Sequence, residues 1–219
     1  FYYPPVAKEN CNECHMPLMM SNDFAAKPYE QDSTKPLYEK LAVHDHMFPS
    51  ANTAIPQLTN MPEWVNEKHE AFSEGFIRVD LFGLNEGSTL DSQLIAPLRP
   101  HVPTLQPGRS YILDAVVRTV KIGHPFSQGT VDSNEIWLDV TLMAGDRVIG
   151  RSGGLNPADG AVDPWSHFIN VYMLDRNGNR IDRRNPQDIF TPLYNHQIPP
   201  GAADVIHYAF TVPAGLDQP

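Results

Sequence analysis

The sequence predicts a mainly-β chain: an antiparallel β-sandwich preceded by an irregular N-terminal lobe and one short helix. Three observations carry this. After residue 74, short runs of alternating apolar and polar residues recur, bounded by Gly, Pro, Asn and Asp. Only one run combines helical composition with start signals. Residues 1–60, rich in Pro, Asn, Lys and Met, show little strand alternation. We therefore divide the chain into a lobe, 1–73, and a β-sandwich domain, 74–219.

Taken in order, the lobe cannot build a hydrophobic core from its own residues. Thr59 or Asn60 supplies an N-cap, Pro62 fits a first helical turn, and Glu63 to Phe72 follows as the helix. Phe76 to Leu84 is the first strand and Tyr111 to Ile122 a long one. The segment from Pro97 to Pro107 holds four prolines and predicts an extended surface crossing. Ile136, Leu138, Val140 and Leu142 alternate with Trp137, Asp139, Thr141 and Met143. Arg147 to Arg151 returns as a hairpin arm across Ala144-Gly145-Asp146. His167 to Asp175 is a further strand, ended by Arg176-Asn177-Gly178-Asn179. Ile206, Tyr208, Phe210 and Val212 alternate in the last. There is no internal repeat.

With 219 residues the chain is long enough for a sizeable core, and its 41% hydrophobic and 19% charged residues are ordinary for a globular protein. The net charge of −10 argues against nucleic acid and anionic membrane surfaces, and suits a basic partner. No run approaches the roughly 18 apolar residues of a membrane span. The start at Phe1, without methionine or signal peptide, suggests a processed product.

Both cysteines lie in one run, Cys11-Asn12-Glu13-Cys14-His15. In C-x-x-C-H, two thiols three residues apart each add across a vinyl group of one haem, and the following histidine is held as the proximal iron ligand. One covalent haem c accounts for every cysteine in the chain. A thioredoxin-like redox pair would want a βαβ setting, which is missing. Zinc held by Cys11, Cys14, His15 and one of His44 or His46 stays open as the alternative chemistry, although it lacks a second pair at zinc spacing. Haem c attachment belongs to extracytoplasmic compartments, so the expected location is the periplasm or the cell exterior.

Two further phrases extend the reading. His44-Asp45-His46-Met47-Phe48-Pro49-Ser50-Ala51-Asn52-Thr53-Ala54 resembles the DH-x-F-x-G-A-N-T-A segment of a group of bacterial multihaem c-type cytochromes. Gly123 to Asp132 resembles their GH-x-F-P-x-G-T-x-D segment. Cys11 to Pro17 matches their C-x-x-C-H-M-P start, and His196 to Gly201 a closing phrase. The resemblance implies an electron-transfer cytochrome with a β-sandwich and makes His46 the distal haem ligand. Members of that group usually carry several C-x-x-C-H motifs; this chain has one. That departure, with a tail from Gly215 to Pro219 that shows no natural stop, suggests the last haem module of a longer polypeptide.

Candidates for the sixth iron position are His44, His46, Met16, Met19, Met20 and Met47. Met16 adjoins His15 and cannot readily cross to the opposite face, while Met19 and Met20 suit soft packing on a ring edge. The resemblance selects His46, with His44 the alternate. His69 and His101 are expected at the surface, and His207 on the solvent face of its strand. His167 shares a face with Ile169, Val171 and Met173 and is expected to be buried and hydrogen-bonded. His124 and His196 belong to the resembling phrases; the roles open to His124 are touching a haem propionate, supporting the iron ligand, reaching another haem or stabilising a turn, and either histidine would serve as a ligand to a haem on an adjacent subunit. Asp132 to Glu135 and Asn156 to Asp159 offer hard oxygens but match no EF-hand. No Ser-His-Asp order, P-loop or G-x-G-x-x-G is present, and the Gly-rich Gly150 to Gly154 has no phosphate-site context.

The expected function is therefore electron carriage through one bis-histidine haem c. The partner would be a redox protein or a neighbouring haem subunit, in an oligomer or larger complex. The rivals are a haem enzyme with an open distal site, for peroxide or nitrogen-oxide chemistry, and a haem-stabilised interaction domain. Arg78, His124 or His167 would supply the enzyme's polar donor.

Overall fold

The computed structural model describes residues 10–28, 30–32, 35–36 and 41–215. The opening residues and tail, read above as signs of a processed or partial chain, lie outside these except for Gly215. The chain is mainly β, with 34% strand against 12% helix. It divides into two compact units, Phe1–Phe76 and Ile77–Pro219, where the sequence suggested a boundary between 73 and 74.

The first unit is built from α1 (Asn12–His15), β1 (Leu18–Met20), β2 (Glu30–Asp32), β3 (Lys35–Pro36), β4 (Ala42–His44), α2 (Ala54–Leu58) and α3 (Glu63–Ser73). β1 pairs antiparallel with β4, Leu18 opposite His44, and β2 pairs with β3. These short strands and α2 are missing from the sequence reading because none is long enough to show a period. α3 covers the expected helix, but its cap differs. Pro62 occupies the N-cap position with extended backbone. Thr59 instead closes α2, its Oγ1 donating to the Ile55 carbonyl at 2.7 Å. Among the described residues of this unit, Ala42, Val65 and the prolines Pro49 and Pro56 are the buried apolar side chains, whereas Met20, Phe24, Leu58, Met61 and Trp64 each expose more than half their area.

The second unit contains β5 (Ile77–Asn85), β6 (Leu94–Ile95), β7 (Ser110–Thr119), β8 (Val140–Ala144), β9 (Arg147–Ser152), β10 (Val171–Leu174), β11 (Arg180–Ile181), β12 (Thr191–Asn195) and β13 (Ala203–Thr211). A four-stranded antiparallel sheet runs β13-β7-β5-β6, a three-stranded one β11-β10-β12, and β8-β9 form a hairpin. β7 is an interior strand, and burial on both of its faces explains the apolar runs Tyr111–Leu113 and Ala115–Val117 on either side of Asp114. Register sets Tyr111, Leu113 and Ala115 opposite Phe210, Tyr208 and Ile206, so the alternating residues of β13 share one face with β7. That face packs against Ile136, Leu138, Ile169 and Ile198 from the second layer. Its other end packs against Leu98 and Leu105. The proline-rich segment therefore covers part of the core and is more than a surface crossing.

The hairpin turn is two residues, Gly145-Asp146, with Gly145 at φ +58. The turn after β10 is fastened by Asp175, whose Oδ1 accepts from the Asn177 and Asn179 amides, each at 2.8 Å. The expected long strand over 136–142 is regular only from Val140; upstream, Trp137 makes a single bridge to Phe168.

Candidate functional site

The C-x-x-C-H run forms the first turn among the described residues. Cys11 is the N-cap residue of α1, with helical φ and ψ, and the His15 amide donates to its carbonyl at 2.9 Å. Cys11 and Cys14 stand three residues apart on this turn, a spacing that places them on one side of it, with His15 next in sequence. Both are free and exposed. That is the access a thioether-forming thiol needs.

His15 is held on three sides. Its Nδ1 donates to the Pro49 carbonyl at 2.7 Å. A carbonyl only accepts, so in the neutral ring the proton sits on Nδ1 and the lone pair on Nε2. This is the arrangement that orients a metal-ligating histidine. Phe48 stacks on the ring, with centroids 4.6 Å apart and planes 10° from parallel, and Phe72 lies tilted at 5.0 Å. Phe48 takes φ +50, unusual for a bulky residue, to turn the chain around the imidazole.

The structure distinguishes His44 from His46. His44 ends β4 opposite Leu18, half-buried, and its Nδ1 donates to the Met16 carbonyl at 2.6 Å. It thus has the same tautomer as His15. His46 is exposed on the following turn. Between them, Asp45 anchors the segment. Its Oδ1 accepts from the Met47 amide at 2.9 Å and its Oδ2 pairs with Lys68 at 3.2 Å. The Met47 bond, then Lys68, holds this carboxyl below its ordinary value, with burial opposing. Met47 is half-buried; Met19 and Met20 are exposed.

His69 departs from expectation. It is buried at 6% exposure, not at the surface, because it lies one turn beyond buried Val65 on the inner face of α3. Its Nδ1 stands 2.9 Å from both the amide nitrogen and the carbonyl oxygen of Ser50. Pro49, Ser50, Phe48, Phe72 and His69 were not singled out as site residues. The spacing of Val65, His69 and Phe72 along one helical stripe was the available signal.

The donor set and setting fit a covalently attached haem: two accessible thiols on one turn, an imidazole next in sequence with its lone pair on Nε2, and many uncovered apolar side chains in the same unit. Among the described residues no group of three or more His, Cys, Asp or Glu is placed to hold a metal ion, so the four zinc donors weighed above are not assembled.

The other histidines lie in the second unit. His167 Nε2 donates to Asp204 Oδ2 at 2.7 Å, and the two border a cavity of about 380 Å³ with His196 and Gln197. His196 is exposed and tilted against Tyr194 at 4.9 Å. His124 is half-buried, with Nδ1 at 3.1 Å from the Pro125 carbonyl. His101 is exposed. His207, exposed as expected, donates from Nδ1 to Asp114 at 2.8 Å. Arg78 pairs with Asp80 at 2.8 Å. Among the described residues no helix is long and apolar enough to cross a membrane. Comparison of the chain with family models, with curated proteins and with solved structures finds no match in any of the three.

Proposed function

We propose that this chain is a c-type cytochrome module that carries single electrons, with one haem c bound through Cys11 and Cys14 and His15 as its proximal ligand. The observation that carries the reading is the conjunction at the motif: two exposed thiols on one turn, followed by an imidazole fixed with its lone pair on Nε2. The resemblance to bacterial multihaem cytochromes supports it. So do the uncovered apolar side chains of the first unit, which are of the kind a porphyrin covers.

When bound, the haem supplies an iron centre that changes charge by one electron. The residues do the rest. Cys11 and Cys14 fix the group to the chain. Pro49 orients His15, and Phe48 and Phe72 keep the ring from turning. The distal ligand comes from the His44-Asp45-His46 segment. The resemblance points to His46, but the bond from His44 Nδ1 to Met16 favours His44, whose ring already has a ligand's tautomer. The net charge of −10 suits a basic redox partner, and haem c attachment implies an extracytoplasmic location.

The test is expression with a haem c maturation system, followed by intact mass and spectra. One haem per chain and a low-spin spectrum are expected. His44→Ala is expected to abolish the low-spin form and His46→Ala to keep it; the reverse assigns the ligand to His46. A colourless product with the bare peptide mass refutes the function.

A further inference from the structure

We propose that His69 is a positioning residue that tunes His15 through the single peptide group between Pro49 and Ser50. The carbonyl of that group accepts from His15 Nδ1 at 2.7 Å, and its amide donates to His69 Nδ1 at 2.9 Å. The two imidazoles are therefore joined by one polarisable unit. When an amide N–H donates to a basic nitrogen, electron density moves toward its own carbonyl oxygen, strengthening that oxygen as an acceptor. His69 thus makes Pro49 pull harder on the His15 proton, and Nε2 becomes a stronger donor. A stronger donor favours the more highly charged iron and lowers the reduction potential.

The geometry is specific to this role. His69 is 6% exposed, so water does not replace it as the acceptor at Ser50. α3 also supplies Phe72, three residues on, which lies against the His15 ring at 5.0 Å. One helix therefore holds His15 both directly and through the peptide. Nδ1 is also 2.9 Å from the Ser50 carbonyl, but a donor there would need the proton on Nδ1. The relay requires the other tautomer, with the proton on Nε2.

This inference rests on the proposed haem, and the experiment separates the two. Holoprotein is prepared as the parent, as His69→Phe, which keeps bulk and loses the acceptor, and as His69→Gln, whose side-chain oxygen restores one. Reduction potentials are measured by spectroelectrochemistry. His69→Phe is expected to favour reduction about tenfold, an upward shift of about 59 mV for a one-electron couple, with His69→Gln returning toward the parent. An unchanged potential in a low-spin His69→Phe protein overturns the relay and leaves the haem assignment standing; a parent lacking haem overturns both. Should His69→Phe fail to fold, nitrogen-15 NMR of the reduced parent decides. An unprotonated His69 Nδ1 coupled to the Ser50 amide supports the relay, and a protonated Nδ1 overturns it.

Discussion

Removing the His207 imidazole tests how the four-stranded sheet tolerates a carboxylate near its centre. Asp114 lies on β7 with its side chain only 10% exposed. Register sets it directly opposite His207 of β13, and His207 Nδ1 donates to it at 2.8 Å. Its other side-chain contacts are the Asn85 amide at 3.3 and 3.4 Å, both long for a charged acceptor. His207→Ala therefore takes away the one short donor. A hydrogen bond to a charged group contributes about 1.5–3 kcal/mol. The His207 side chain is 41% exposed, so water recovers part of this, and a loss of about 1–2 kcal/mol is expected. Urea unfolding at neutral pH, followed by tryptophan emission, measures it. The control is the same change in an Asp114→Asn background, where the loss should fall below about 0.5 kcal/mol. Equal losses in the two backgrounds would show that the pair contributes nothing and that packing alone places His207.

Two further outcomes follow from the second unit. Gly153→Ala should destabilise it by at least about 2 kcal/mol, because the residue sits at φ +88 and an added Cβ overlaps the Leu138 carbonyl; a thermal midpoint equal to the parent's would contradict this. Tyr208→Phe should stabilise it by about 1 kcal/mol, since the Tyr208 hydroxyl is buried without a hydrogen-bond partner. Burial also pushes that phenol above its ordinary value of 10.0. The unfolded chain therefore ionises first as pH rises, and the parent loses stability above about pH 10. The advantage of Tyr208→Phe should widen there, and a constant difference across that range would refute the assignment.

The sandwich was legible where a strand is long and one face is wet. Ile206, Tyr208 and Phe210 alternate because β13 has a core face and an open one, and the period survives in the sequence. β7 was legible for the opposite reason: both of its faces are buried over most of its length, so apolar residues run consecutively on either side of Asp114. What escaped were elements held by pairing rather than by pattern. β6 and β11 are two residues each, too short for any period. Leu98 and Leu105 escaped because prolines around them suggest a solvated crossing, yet two leucines are enough to close one end of a core.

At the proposed site, the motif was legible and the support around His15 was not, for a physical reason. Attachment needs side chains at fixed spacing, and spacing is sequence. Orientation of His15 depends on a backbone carbonyl, and every residue has one; nothing in the letters marks that of Pro49 as special. His69 is the harder case. Its neighbours Lys68 and Glu70 are charged, which suggests a solvated helix face. Adjacent helix positions, however, point about 100° apart, so their charge says little about the residue between them. The informative neighbours are Val65, one turn back, and Phe72, three residues on. Val65 is buried and Phe72 lies against His15, so the stripe containing His69 faces inward. A histidine on such a stripe must find a hydrogen-bond partner or pay the cost of burial, and here that partner is the peptide that also holds the iron-binding imidazole of the proposed site.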